Sequence, residues 1–154
     1  MGLEAQMVDV SSKPDSQREA VASATVEFPT RELRDQILGG QGPKGPVVEV
    51  ARVAAIQAAK KTSDLIPLCH PLPITKVSVD LTIDHDLPGV VIDVTCKVRG
   101  QTGIEMEALT AASLAALTIY DMAKGIDRGM VIQETALVFK SGGKTGEWQN
   151  DDYC

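Results

Sequence analysis

The chain has 154 residues, 44% of them hydrophobic and 23% charged, which suits one globular domain with its own core and excludes a disordered or repeat protein. A net charge of −6 and only 3% aromatic residues argue against nucleic-acid binding, which needs a basic field and stacking platforms. No run approaches the roughly 20 apolar residues of a membrane span, and residues 1–12 lack the apolar stretch of a secretory signal, so a soluble, cytoplasmic protein without a membrane partner is expected.

Residues 1–18 are polar, contain Pro14 and lack periodicity, which predicts a flexible N-terminal arm. Ala20, Ala22, Ala24, Val26 and Phe28 alternate with mostly more polar neighbours, the period of a half-buried strand. Thr30 is placed to cap a short helix in which Leu33 and Ile37 share a face, stopped by Gly39 and Gly40. After a Gly/Pro-rich loop over 39–46, residues 47–61 predict a helix that is apolar on more than one side, suited to a sheet and to a second chain. Residues 65–73 read as an apolar loop punctuated by Pro67, Pro71 and Pro73.

The clearest hairpin follows: Val77, Val79, Leu81 and Ile83, a turn over 86–89, then Val90, Ile92, Val94, Cys96 and Val98. A long helix is expected over 104–124, free of internal glycine and proline and stopped by Gly125. Its alanine-rich stretch, 108–116, suits either packing on the chain's own sheet or close approach to another helix. Residues 130–139 predict a last strand. The domain reading is therefore an arm over 1–18, a single α+β domain over 19–140, and a Gly-rich flexible tail over 141–154. The element order implies an antiparallel sheet with helices packed on one face.

Several residues carry chemistry under one reading and none under another. Cys69-His70 is a polar tip in a proline-restricted apolar segment, either a binding loop or a loop histidine satisfied by a backbone carbonyl. Glu105 and Glu107 open the long helix, where its dipole favours carboxylates in any case. Asp121 and Lys124 are an ordinary i,i+3 pair, or a partly desolvated one whose lysine has a lowered pKa. Lys44, between Gly42 and Gly45, is a loop cation or merely solvated. Residues 142–146 are not a phosphate loop, since Val138 stands where its first glycine is needed, but with Lys140 and Lys144 they suit a lid over phosphate as well as a loose terminus. Cys69, Cys96 and Cys154 lack C-x-x-C spacing and read as reduced thiols, and His70 and His85 lack ligand spacing, so no metal site is expected.

Met7-Val8-Asp9-Val10, Lys44-Gly45, Pro67-Leu68-Cys69-His70-Pro71-Leu72, Glu105-Met106-Glu107-Ala108-Leu109-Thr110, Tyr120-Asp121-Met122-Ala123-Lys124 and Lys140-Ser141-Gly142-Gly143-Lys144 occur in this order along nearly the whole chain. In them the chain resembles the MoaC family of cyclic pyranopterin monophosphate synthases. The resemblance implies a ferredoxin-like α+β subunit, a homohexamer built as a trimer of dimers, and a lyase of molybdenum cofactor biosynthesis. Its substrate would be 3′,8-cyclo-7,8-dihydro-GTP and its products cyclic pyranopterin monophosphate and pyrophosphate.

By motif, the resemblance implies Lys44, Asp121 and Lys124 as the catalytic set. It implies Leu68, Cys69, His70, Met106 and Glu107 as substrate contacts, and Arg18, Lys140 and Lys144 as phosphate contacts. One departure is Pro46, where the family usually carries an acidic residue; the proline stiffens the loop and removes a charge near Lys44. Ring opening and rebuilding need repeated proton transfers, which a lysine and a paired carboxylate supply. Closing the cyclic phosphate needs clustered cations or a loosely bound Mg²⁺, and no other cofactor is expected. The alternative is a catalytically silent homologue that binds a pterin or nucleotide as an oligomeric partner.

Overall fold

The computed structural model describes residues 3–153, so Cys154 lies outside the described residues. The elements in chain order are β1 (Ser16–Glu27), α1 (Arg31–Leu38), α2 (Val47–Lys60), α3 (Thr62–Leu65), β2 (Ile74–Asp84), β3 (Gly89–Gly100), α4 (Glu105–Ala123), β4 (Val131–Ser141) and β5 (Trp148–Gln149). A 3₁₀ turn, Asp151–Tyr153, follows. The sheet runs β2-β3-β1-β4-β5 with every neighbour antiparallel. In both β1-α2-β2 and β3-α4-β4 the two strands enclose one strand between them, the split βαβ arrangement of a ferredoxin-like α+β fold.

Strand period explains the core. Ala20, Ala22, Ala24 and Val26 of β1 and Val90, Ile92, Val94, Cys96 and Val98 of β3 point to one face and are buried. Against them lie Ala51, Ala55 and Ala59 of α2 and Ala108, Ala111, Ala112, Ala115 and Ala116 of α4. These small side chains let the helix backbones approach the sheet closely, so the alanine-rich stretch of α4 is spent on the chain's own core. Thr30 caps α1 as expected, its Oγ1 accepting from the Leu33 N–H at 3.1 Å. Buried Arg34 donates to the carbonyls of Asp84 and Leu87 at 3.0 and 3.3 Å, fastening the β2–β3 turn to α1.

Two boundaries differ from the sequence expectation. β1 begins at Ser16 rather than Ala20, because Ser16, Gln17, Arg18 and Glu19 pair with β3 from Gly100 onward despite having no apolar alternation. The arm therefore stops short of Arg18. At the other end, β4 continues to Ser141 and the polar tail returns as β5, with Phe139 opposite Gln149 and Lys140 opposite Trp148. Backbone pairing, which no side-chain pattern announces, decides both cases. Among the described residues no helix is long and apolar enough to cross a membrane.

Candidate active site

The start of β1, the end of β4 and the N-terminus of α4 converge on one cleft. Its wide lobe, about 790 Å³, carries Lys13, Arg18, Lys140 and Lys144 with Glu105 as the single carboxylate. Its narrow lobe, about 400 Å³, is walled by Val8, Val10, Ile66, Leu68, Leu72 and Met106 around Cys69 and His70. Lys13, Thr102, Gly103 and Glu105 line both, so the lobes are continuous. An acidic chain thus gathers an excess of three positive charges beside an apolar slot, a shape matched to a polyanion with a flat or apolar head.

Glycines hold the wide lobe together. Gly142 and Gly143 have φ of +96° and +75°, and a Cβ at either would run into the Gln17 carbonyl or the Arg18 guanidinium, so the loop after β4 can lie directly on the start of β1. Arg18 Nε donates to the Gly100 carbonyl at 3.0 Å, and Lys140 Nζ lies 3.5 Å from Glu105 Oε2. The arm crosses the cleft as a strap, fixed where Gln101 Nε2 donates to the Lys13 carbonyl at 3.0 Å.

Beneath the narrow lobe, Cys69 Sγ donates to Glu107 Oε2 at 3.7 Å and to the His70 carbonyl at 3.8 Å. Burial, then the Glu107 charge, pushes the Cys69 thiol up to about 11, while burial pushes Cys96 up to about 12. Glu107 is only 2% exposed, and burial raises its carboxyl above the ordinary value of 4.5, opposed by its own backbone N–H. A raised carboxyl contributes stability that is complete below the unfolded value and is lost as pH climbs through the folded one. Glu107→Gln should therefore gain on the wild type in Tm between pH 5 and pH 8, by at least roughly 2 °C. Parallel Tm curves across that range would contradict a raised Glu107.

At the far end of α4, Asp121 bridges two lysines: Lys124 Nζ to Oδ1 at 2.7 Å and Lys44 Nζ to Oδ2 at 3.0 Å. Lys44 reaches it from a tight turn in which Gly45 N–H bonds the Gly42 carbonyl at 3.3 Å and Gly45 has φ of +87°. A Cβ at Gly125 would come within 4.0 Å of Pro43, so that turn passes close to the helix end. Pro46 serves as the N-cap residue of α2, outside the turn. Hydrogen bonds from Lys124 and then Lys44 hold the Asp121 carboxyl below the usual carboxylate range. Within the single chain all three side chains are about half exposed, because α4 ends at the rim of the domain.

The family model described as the MoaC family matches residues 7–143. The chain belongs to the MoaC family. It is 56% identical over 145 residues to the cyclic pyranopterin monophosphate synthase of Dinoroseobacter shibae, covering 94% of this chain and 91% of that protein. It is 54% identical over 145 residues to the synthase of that name from Cereibacter sphaeroides, with the same coverage. The corresponding figures for the Brucella ovis synthase are 52% over 148 residues, 96% of this chain and 89% of that protein.

Within this MoaC-family chain the sequence-predicted residues fall into three places. Arg18, Lys140 and Lys144 meet in the wide lobe; Leu68, Cys69, His70 and Met106 meet in the narrow one; Lys44, Asp121 and Lys124 meet at the opposite end of α4. Glu107 lies behind Cys69, and the cleft wall is formed instead by its neighbours Glu105 and Met106. From Glu107 to Asp121 is 14 helical positions, roughly 21 Å at 1.5 Å per residue, so one chain does not bring the lysine pair to its own cleft. Sequence reading did not single out Lys13, which lines both lobes from an arm without periodicity; its only signal was proximity to the Met7-Val8-Asp9-Val10 motif.

Proposed function

We propose that this chain is a cyclic pyranopterin monophosphate synthase, a lyase converting 3′,8-cyclo-7,8-dihydro-GTP into cyclic pyranopterin monophosphate and pyrophosphate in molybdenum cofactor biosynthesis. The observation that carries this reading is the two-lobed cleft, taken with the family's name. The wide lobe's cations receive the triphosphate, and the narrow lobe between Leu68, His70 and Met106 receives the reduced purine. Charge-assisted hydrogen bonds from Lys13, Arg18, Lys140 and Lys144 hold the triphosphate while a substrate hydroxyl attacks the α-phosphorus. A new O–P bond forms there as the α–β phosphoanhydride bond breaks and pyrophosphate departs. The reading calls for no redox cofactor, and four side-chain cations face the phosphates where a loosely bound Mg²⁺ would add further charge.

Proton transfer falls to Lys44 and Lys124, whose ammonium groups share the Asp121 carboxylate and exchange protons with ring nitrogen and carbon. For these to meet a cleft some 21 Å away along α4, two copies lie antiparallel across a twofold axis, each cleft completed by the partner's helix end. Val50 and Val53 of α2 and Leu117 of α4, exposed by 39, 52 and 52%, supply apolar surface for such a contact. Three such dimers make the homohexamer, a soluble cytoplasmic enzyme acting on a small molecule.

Incubation with the cyclised dihydro-GTP is expected to release pyrophosphate and, after oxidation, yield a fluorescent pterin; binding without either product would leave only the silent-homologue reading. Within the wide lobe, Lys140→Ala/Lys144→Ala is expected to raise KM by at least about tenfold, with a smaller effect on kcat, and to flatten the dependence of KM on salt. A KM and salt slope equal to the wild type's would remove the loop from phosphate binding.

A further inference from the structure

The chain beyond Ser141 is a closed loop fastened at both ends, and one side chain does much of the fastening. Residues 142–147 leave β4 and come back as β5, carrying Gly143, Lys144 and Thr145 along the wide lobe. On the outgoing side Gly142 and Gly143, at φ of +96° and +75°, seat the loop close to the Gln17 carbonyl and the Arg18 guanidinium. On the returning side β5 is only Trp148–Gln149, both exposed, and two residues of pairing hold a hairpin weakly. Asn150 adds what that pairing lacks. Its N–H donates to the Val138 carbonyl at 2.9 Å and its Nδ2 to the Leu137 carbonyl at 3.2 Å, so backbone and side chain both fasten onto β4. Its Oδ1 accepts from the Asp152 N–H and its carbonyl from the Tyr153 N–H, each at 3.1 Å, which folds the residues that follow into the 3₁₀ turn. Asparagine suits both tasks, because a donor and an acceptor on one short stem serve β4 with one end and the turn with the other; aspartate keeps the acceptor and lacks the donor.

We propose that Asn150 is a positioning residue for the phosphate lobe, pinning β5 to β4 so that Lys144 is presented to the cleft from a loop closed at both ends. The inference rests on the reading of the wide lobe as the triphosphate site and names what orders one of its cations. A lysine on a segment fixed at both ends samples few positions. On a segment free beyond Ser141 it would have to be ordered by the ligand itself, and that entropy is lost from the affinity. Asn150 lines neither lobe, so its effect reaches the substrate through Lys144 and falls on binding rather than on proton transfer. Trp148, the chain's one tryptophan, stands opposite Lys140 on the same face of the sheet, so its indole reports on the order of this corner.

Full-length Asn150→Ala, Lys144→Ala and Asn150→Ala/Lys144→Ala proteins would be compared with the wild type in three measurements. These are pyrophosphate binding by calorimetry, fluorescence anisotropy of Trp148 with and without pyrophosphate, and turnover of the cyclised dihydro-GTP. For Asn150→Ala the expected result is a pyrophosphate Kd and a KM each raised about fivefold, with kcat within about twofold of wild type. Trp148 anisotropy should be lower in this variant and should be partly restored by pyrophosphate. Because both residues act through one cation, the double variant should bind pyrophosphate no more than about twofold more weakly than Lys144→Ala alone. If Asn150→Ala does not fold, Asn150→Asp, which keeps the turn's acceptor and drops the donor to β4, takes its place in each comparison. Unchanged Kd and KM for the Asn150 variant, multiplied effects in the double variant, or a fall in kcat at constant KM would overturn the positioning role. A wild type that does not bind pyrophosphate would overturn it as well. A wild type that binds pyrophosphate and turns over no substrate would defeat the functional reading alone, and the binding constants would still judge Asn150.

Discussion

Lys124→Ala and Lys44→Ala are each expected to lower turnover by at least about a hundredfold, the lower end of what a positioned general acid or base contributes. The two lysines share the Asp121 carboxylate at 2.7 and 3.0 Å, so removing either leaves the other ion pair intact and isolates one proton carrier. Stability should hardly move. Half-exposed ion pairs contribute about 0–1 kcal/mol, and on a domain of this size that shifts Tm by no more than about 4 °C. The measurement is single-turnover product formation at saturating substrate, with assembly checked by sedimentation. Turnover within a few fold of wild type in a correctly assembled variant would take that lysine out of the mechanism.

Mixed assemblies provide the second large effect. A subunit carrying Lys124→Ala is damaged at the far end of α4, and one carrying Lys13→Ala/Lys140→Ala/Lys144→Ala is damaged in the wide lobe. Each homogeneous protein is expected to lose at least about a hundredfold in kcat/KM, through acid/base chemistry in the first and phosphate contacts in the second. Co-expressed in equal amounts with random pairing, half of the dimers are mixed, and in each of those one of two shared sites carries neither lesion. Activity should then return to about a quarter of wild type. Mixed assemblies that form and remain as inactive as their parents would show that the cleft and the helix end do not meet across subunits. The α4 geometry makes this a sharp test, because the roughly 21 Å between Glu107 and Asp121 is too long for one chain's side chains to span.

Much of the fold was legible in the residues themselves. Alternation in 77–83 and 90–98 announced β2 and β3, and Thr30 and Gly39 bracketed α1 as capping chemistry requires. The unbroken run before Gly125 announced α4. These are local rules, in which each residue's preference agrees with its neighbours'. The chemistry-bearing motifs were likewise readable as residue types, because Cys69-His70, Asp121-Met122-Ala123-Lys124 and Lys140-Ser141-Gly142-Gly143-Lys144 stand out against their apolar or polar surroundings.

Tertiary structure decided the rest, wherever partners distant in sequence set the outcome. Arg18 became a strand residue at the cleft because β3 supplied its pairing, and the polar tail became β5 because β4 offered a free edge. Lys44 and Asp121, 77 positions apart, meet because the turn over 42–45 reaches the C-terminal end of α4. Glu105 and Glu107 were equivalent as first-turn carboxylates in the sequence. Helical rotation of about 100° per residue put Glu105 on the cleft wall and Glu107 behind Cys69, a separation that depends on what packs against each face and not on the residue's own type.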